Sequence, residues 1–183
     1  SGEKKLEDYQ AIIFPGGFAY GDHVRSGAIW AKQLLYRQAK EIKDFYNEGK
    51  FLLGICNGMQ VLVETGFIPV ISGPSPTPQA CMHANAVGHF LCTWVNLKNV
   101  NKSRCPYSRG MSERNELIPA VVAHGEGNFT ISPQRLKHLQ ENDQIVFRYV
   151  KPDGEPANGV FPFNPNGAMS DVAGVCNEEG NVL

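Results

Sequence analysis

A cysteine between two glycines, set straight after an apolar run, leaves a chain few ways to fold. In Phe51-Leu-Leu-Gly-Ile-Cys-Asn-Gly-Met-Gln60, residues 51–55 read as a short buried strand, and 59–64 as a short helix closed by Gly66. The turn between them must be so sharp that side chains at 54 and 58 would collide, which is the need Gly54 and Gly58 meet. A strand passing through such an elbow into a helix belongs to an open α/β sheet. It sets Cys56 at the carboxyl edge, where ligands of these sheets bind. The dipole and free N–H groups of the following helix favour a thiolate there. The Asn57 N–H, next after the thiol, is placed to hold a developing oxyanion, and the Gly16-Gly17 turn after the neighbouring strand offers a second donor. The competing reading makes Cys56 a buried small hydrophobe and its glycines plain turn formers; the elbow spacing favours a nucleophile.

The flanking sequence extends the α/β pattern. Ala11–Phe14 reads as a buried strand stopped by Pro15-Gly16-Gly17. Over 22–48, Ala28, Ala31, Leu35, Ala39, Ile42 and Tyr46 recur at three or four residues, predicting one long amphipathic helix capped by Gly49, with the charged run 40–50 as its solvated face and Arg25 in its first, solvated turn. Strand, helix, strand, helix argues a parallel sheet with crossover helices. Pro69, Pro74, Pro76 and Pro78 make 66–79 a loop. Residues 92–100, with Trp94 central, 118–123 and 145–150 read as strands. A helix between the last two has Ser132 as N-cap and Pro133 as its first residue. Residues 151–169 form a long loop whose Asn164-Pro-Asn-Gly167 reads as a docking surface or as a plainly solvated stretch. After a strand at 172–175 and a turn at 177–181, Val182-Leu183 reads as the return strand of a hairpin.

Composition excludes several function classes. The 183 residues, 42% hydrophobic, suffice for one domain with a sizeable core, and the net charge of −1 is scattered, so neither nucleic acid nor an anionic membrane is an expected partner. No apolar run approaches the roughly 18 residues of a membrane span, and the chain reads as cytoplasmic. Five widely spaced cysteines favour reduced thiols over a disulfide framework. Cys81, His83, His89 and Cys92 are zinc-type ligands without the close paired spacings of zinc modules, and read as a loop entering the Trp94 strand. Gly16-x4-Gly21 is followed by Asp22-His23 where a phosphate loop needs Lys-Ser/Thr, so no nucleotide site is expected.

The motifs Pro15-Gly-Gly-Phe-Ala-Tyr-Gly-Asp22, Gly54-Ile-Cys-Asn-Gly-Met-Gln60 and Ala123-His-Gly-Glu-Gly-Asn-Phe129, in that order and continued through 164–183, resemble the class I, Cys-His-Glu type of glutamine amidotransferase in its purine-pathway branch. The resemblance implies a flavodoxin-like, open, mostly parallel sheet flanked by helices. It implies that Cys56 attacks the side-chain amide of glutamine, that ammonia leaves and that water hydrolyses a glutamyl thioester. The ammonia would go to a synthetase subunit making formylglycinamidine ribonucleotide, with a small bridging subunit as a further partner. ATP and Mg would act at the synthetase, leaving this chain without a cofactor or metal. Gly17 and Asn57 would form the oxyanion hole, and Gly16, Phe18, Gln60 and His124 would face the substrate. In this family the base histidine and its orienting glutamate lie in a Pro-His-Pro-Glu stretch past the segment that ends here at Leu183, and a strand and helix precede the segment that begins near Ala11. One amidotransferase domain without those end pieces is therefore expected over 1–183. His124-Gly-Glu126 has the same His-x-Glu spacing, but is expected to be a wall near the site mouth, its glycines marking a tight turn. Two rival readings stand beside the glutaminase: a non-catalytic amidotransferase-like module, favoured by the missing histidine and glutamate, and another elbow-cysteine α/β hydrolase. Gln60 and the Gly16-Gly17-Phe18 loop fit a glutaminase better than the latter.

Overall fold

In the computed structural model, which describes residues 4–22, 24–71, 77–114 and 116–183, the two apolar runs nearest the N-terminus lie side by side. Strand β1 (Ala11–Phe14) pairs in parallel with β2 (Phe51–Gly54). Between them runs helix α1 (Ala28–Asn47), and β2 leads into helix α2 (Asn57–Thr65), which ends on a left-handed Gly66. Val61, Leu62 and Val63 of α2 are fully buried, each such side chain contributing roughly 1.5–3 kcal/mol by leaving water. They join Phe14, Leu52, Ile42 and Phe45 in the main core.

The chain continues through β3 (Cys81–His83), β4 (Leu91–Asn99), the single turn α3 (Met111–Arg114), β5 (Leu117–His124), β6 (Asn128–Thr130), α4 (Pro133–Glu141), β7 (Ile145–Val150) and β8 (Val172–Val175). Ser132 caps α4 as its sequence requires, its hydroxyl accepting the Arg135 N–H. β3 pairs with β6, and β5-β4-β7-β8 form a four-stranded sheet.

Four expectations need correction. The sheet is not mostly parallel: β1 and β2 are parallel, but β3–β6 and every pairing in the four-stranded sheet are antiparallel. The reason lies in the connections. No crossover helix lies between β7 and β8, and only a 3₁₀ turn and α3 between β4 and β5, so β5 returns beside β4 and β8 beside β7 in the opposite sense. Second, α1 starts at Ala28 rather than residue 22, because Tyr20, Gly21 and Gly27 take φ of 60°, 64° and 77°, which a right-handed helix cannot continue through. Third, Val182 is not the return of a hairpin strand. It bridges Leu52 in parallel, with Leu52 N–H donating to Asn181 O, Leu183 N–H to Leu52 O and Gly54 N–H to Leu183 O, so the segment flanks β2. Fourth, the Asn164–Gly167 stretch offers little surface for docking. Asn164 and Asn166 are 2% and 1% exposed, Asn164 donating to Asp171 and Ala168 O and Asn166 to the Tyr149 hydroxyl. Residues 72–76 of the proline-rich loop and His23 lie outside the described residues.

Candidate active site

Cys56 stands between β2 and α2 with φ 53° and ψ −108°, a left-handed backbone that costs a non-glycine residue about 1–3 kcal/mol and is kept only where the surroundings enforce it. What enforces it is close approach. A Cβ on Gly58 would sit 2.0 Å from Phe14 O, and one on Gly54 would sit 2.7 Å from Gly58 O. The start of α2 therefore lies directly over the ends of β1 and β2, and the thiol projects from the turn, exposed. Its sulfur lies 4.0 Å from Ala123 O at the end of β5.

The loop after β1 closes one side. Gly16 lies beside the Cys56 side chain, since a Cβ there would be 3.4 Å from Cys56 Cβ. Further along, Ala19 N–H donates to Asn57 Oδ1, tying this loop to the head of α2. Asn57 is the first residue of α2, where backbone N–H groups have no partner within the helix. Phe18 is 64% exposed.

Cys56 shares a cavity of about 190 Å³ with Gln60, His124, Glu126, Tyr149 and Asn166, the rest of its lining being largely apolar. Gln60 is 4% exposed and its amide is engaged within the protein: Oε1 accepts from Asn57 Nδ2 and Nε2 donates to Glu126 O. Gln60 thus shapes the wall through its stem. Tyr149 is buried, which pushes its pKa up to about 12, with the neighbouring Cys56 adding to the rise; Asn166 Nδ2 donates to its oxygen and opposes it. The phenol stays protonated.

His124 ends β5, half-buried, and burial lowers its pKa, so the ring is held towards its neutral form. Its Nδ1 meets Asn85 Oδ1 at 3.1 Å. Glu126 turns the other way, Oε2 accepting Ser26 N–H at 2.8 Å. The His-x-Glu spacing therefore does not make an orienting pair here, because each side chain is held by a different element. A Cβ on Gly127 would fall 2.1 Å from His124 Cε1, so this glycine makes room for the ring. Arg25, expected in solvent, donates to the buried Glu64 at 2.6 Å, which raises the arginine pKa. The N-terminal end of α1 sits close enough to α2 to allow this, since a Cβ on Gly27 would be 2.8 Å from Val61 N.

Among the described residues no group of three or more His, Cys, Asp or Glu side chains is placed to hold a metal. His89 bonds Val87 O through its own ring, and Cys92 is exposed. The structure brings the expected Cys56, Gln60 and His124 to one cavity, with Asn57 bonded to Gln60 and Glu126 on the expected wall, and adds Asn85 and Tyr149, which the sequence reading did not name. No spacing announces them; each acts through contacts with residues distant in sequence.

Residues 1–183 match the family described as CobB/CobQ-like glutamine amidotransferase domain. The chain is 39% identical over 183 residues to the phosphoribosylformylglycinamidine synthase subunit PurQ of Methanococcus maripaludis, covering 100% of this chain and 65% of that one. It is 38% identical over 181 residues to the subunit of the same name from Aquifex aeolicus, covering 99% and 72% respectively. Among solved structures it is similar to a chain in the structure of PurLQS from Thermotoga maritima, with a TM-score of 0.73, 33% identity and coverage of 98% of this chain and 68% of that one. The chain thus spans about 65% of the length of the Methanococcus relative.

Proposed function

We propose a function from a plain premise: the chain belongs to the CobB/CobQ-like glutamine amidotransferase domain family. It is a glutaminase. The Cys56 thiolate attacks the side-chain carbonyl carbon of glutamine, and the Asn57 and Gly17 N–H groups hold the resulting oxyanion. The C–N bond breaks as the nitrogen takes up a proton and leaves as ammonia; water then adds its hydroxyl to the thioester carbon and gives up its protons, releasing glutamate and returning the thiolate. Gly16 and Phe18 border the substrate on one side, Gln60 and His124 on the other. The observation that carries this reading is the thiol itself, held in a left-handed elbow at the head of α2 on the wall of a cavity it shares with Gln60 and His124.

The relatives' printed names extend it. Two are phosphoribosylformylglycinamidine synthase subunits, and the structural neighbour is an assembly. On this reading the ammonia passes to a synthetase subunit that forms formylglycinamidine ribonucleotide in purine biosynthesis, with a small bridging subunit in the complex. ATP and Mg act at the synthetase, and the complex works in the cytoplasm. No described helix is long and apolar enough to cross a membrane.

Replacing Cys56 with Ala tests the chemistry. Glutamate release from glutamine is expected to fall by about 10⁴ or more, as for other lost nucleophiles, with the circular dichroism spectrum unchanged. Retained turnover would reject the reading.

A further inference from the structure

Asn85, between β3 and β4, is 2% exposed and carries the loop 124–127 on its side chain. Its Nδ2 donates to His124 O at 2.8 Å and to His89 O at 3.0 Å. Its Oδ1 accepts the Gly127 N–H at 3.0 Å, and its own N–H donates to Gly125 O at 2.8 Å. These partners have fixed roles, because a backbone carbonyl only accepts and a backbone N–H only donates. They therefore settle which end of the Asn85 amide is oxygen, an assignment usually open to a flip.

The consequence falls on the histidine. Its Nδ1 stands 3.1 Å from Asn85 Oδ1, an atom that can only accept, so Nδ1 must carry the proton. We infer that Asn85 is a positioning residue which fixes the Nδ1–H tautomer of His124, leaving Nε2 as a hydrogen-bond acceptor in the wall of the cavity that Cys56 lines. An acceptor there recognises a donor on the ligand, an ammonium or an amide NH₂, and discriminates against a carboxylate at the same spot. Gly127 holds the ring in that orientation by leaving space for it, and burial keeps the ring neutral. The titratable groups sharing this cavity are Cys56 at the head of α2, Glu126 on the loop and Tyr149 of β7. Glu126 Oε2 is occupied by Ser26 N–H, and Tyr149 is protonated. Of this assignment, the tautomer stands independently, whereas its bearing on glutamine rests on the glutaminase reading.

Long-range proton–nitrogen spectra of the ¹⁵N-labelled protein at neutral pH read the tautomer directly, with His124→Gln identifying the signal. The expected result is a neutral ring with its proton on Nδ1; a proton on Nε2, or on both nitrogens, overturns the inference without need of any variant at Asn85. In Asn85→Asp, which also forfeits the Nδ2 donations to His124 O and His89 O, the carboxylate draws a proton onto the ring, so the spectrum should change to that of an imidazolium. The KM for glutamine should then rise about tenfold, the equilibrium worth of one lost hydrogen bond, with kcat within about twofold. A charged ring with unchanged KM would overturn the acceptor role. If the protein, assayed with the family's base histidine and glutamate present, turns over no glutamine at all, the glutaminase reading fails, and the spectrum still decides the tautomer.

Discussion

The two sides of the cavity are built on different principles. The elbow side, Gly54 to Gly58, is five consecutive residues, with Gly54 admitting Gly58 O and Gly58 letting α2 rest on Phe14 O. The opposite wall, His124 to Gly127, is assembled at long range, from Asn85 about 40 residues earlier, Gln60 in α2 and Ser26 before α1. The reactive atom is thus positioned by steric exclusion, its flanking glycines admitting the close approach of Gly58 O and of Phe14 in β1, whereas the recognising atoms are positioned by hydrogen bonds.

The largest effect should come from breaking the elbow side. Gly58→Ala places a methyl where a backbone carbonyl oxygen stands at 2.0 Å, and backbone cannot swing aside as a side chain can. A loss of about 3 kcal/mol is expected, at the upper end of overpacking costs, and urea unfolding measures it. Near-neutral stability would show that the elbow is looser than described. Gly127→Ala tests the assembled side. The colliding atoms belong to the His124 ring, which can rotate, so the stability cost should be smaller, about 1 kcal/mol. The KM for glutamine should rise while kcat changes little, because the nucleophile is untouched; an equal fall in kcat would mean the two sides are not separable.

That contrast also explains what could be read in advance. β1, the elbow, the Ser132 cap and Ile145–Val150 were legible because each rests on neighbours in sequence: apolar runs, flanking glycines, a hydroxyl three residues from its N–H. The start of α1 was not: the sequence reading sets it too early, at residue 22, although the apolar spacing begins only at Ala28, just after the left-handed Gly27. Strand direction was not legible either, because a short antiparallel return leaves no mark in the strand's own residues. Asn85 was invisible for the same reason as Asn164 and Asn166: a buried amide whose partners are distant backbone groups looks like any loop asparagine. Four of the seven expected site residues, Cys56, Gln60, His124 and, through its side chain, Asn57, are gathered by contacts around one cavity. Gly16 borders the Cys56 side chain, and for Gly17 and Phe18 the loop is placed but no contact with the cavity defines them.

The smallest expected effect is on pH dependence. Burial lowers the pKa of His124 below its ordinary 6.5, so the unfolded chain takes up that proton before the folded one does. Stability is therefore full above about pH 6.5 and declines as pH falls from there towards the lowered folded value. Urea midpoints measured between pH 7.5 and 5 should show this decline, and His124→Gln should make it shallower. An unaltered slope would place the ring in water.

The most direct measurement of the central claim is the intact mass of the protein before and after 6-diazo-5-oxo-norleucine, a glutamine analogue that alkylates a nucleophile bound beside its diazo carbon, followed by peptide mapping. A single adduct on Cys56, suppressed by excess glutamine and absent from the exposed Cys92, is the predicted result. Labelling of both thiols alike, unaffected by glutamine, would contradict the claim that the elbow and the assembled wall together form a glutamine site.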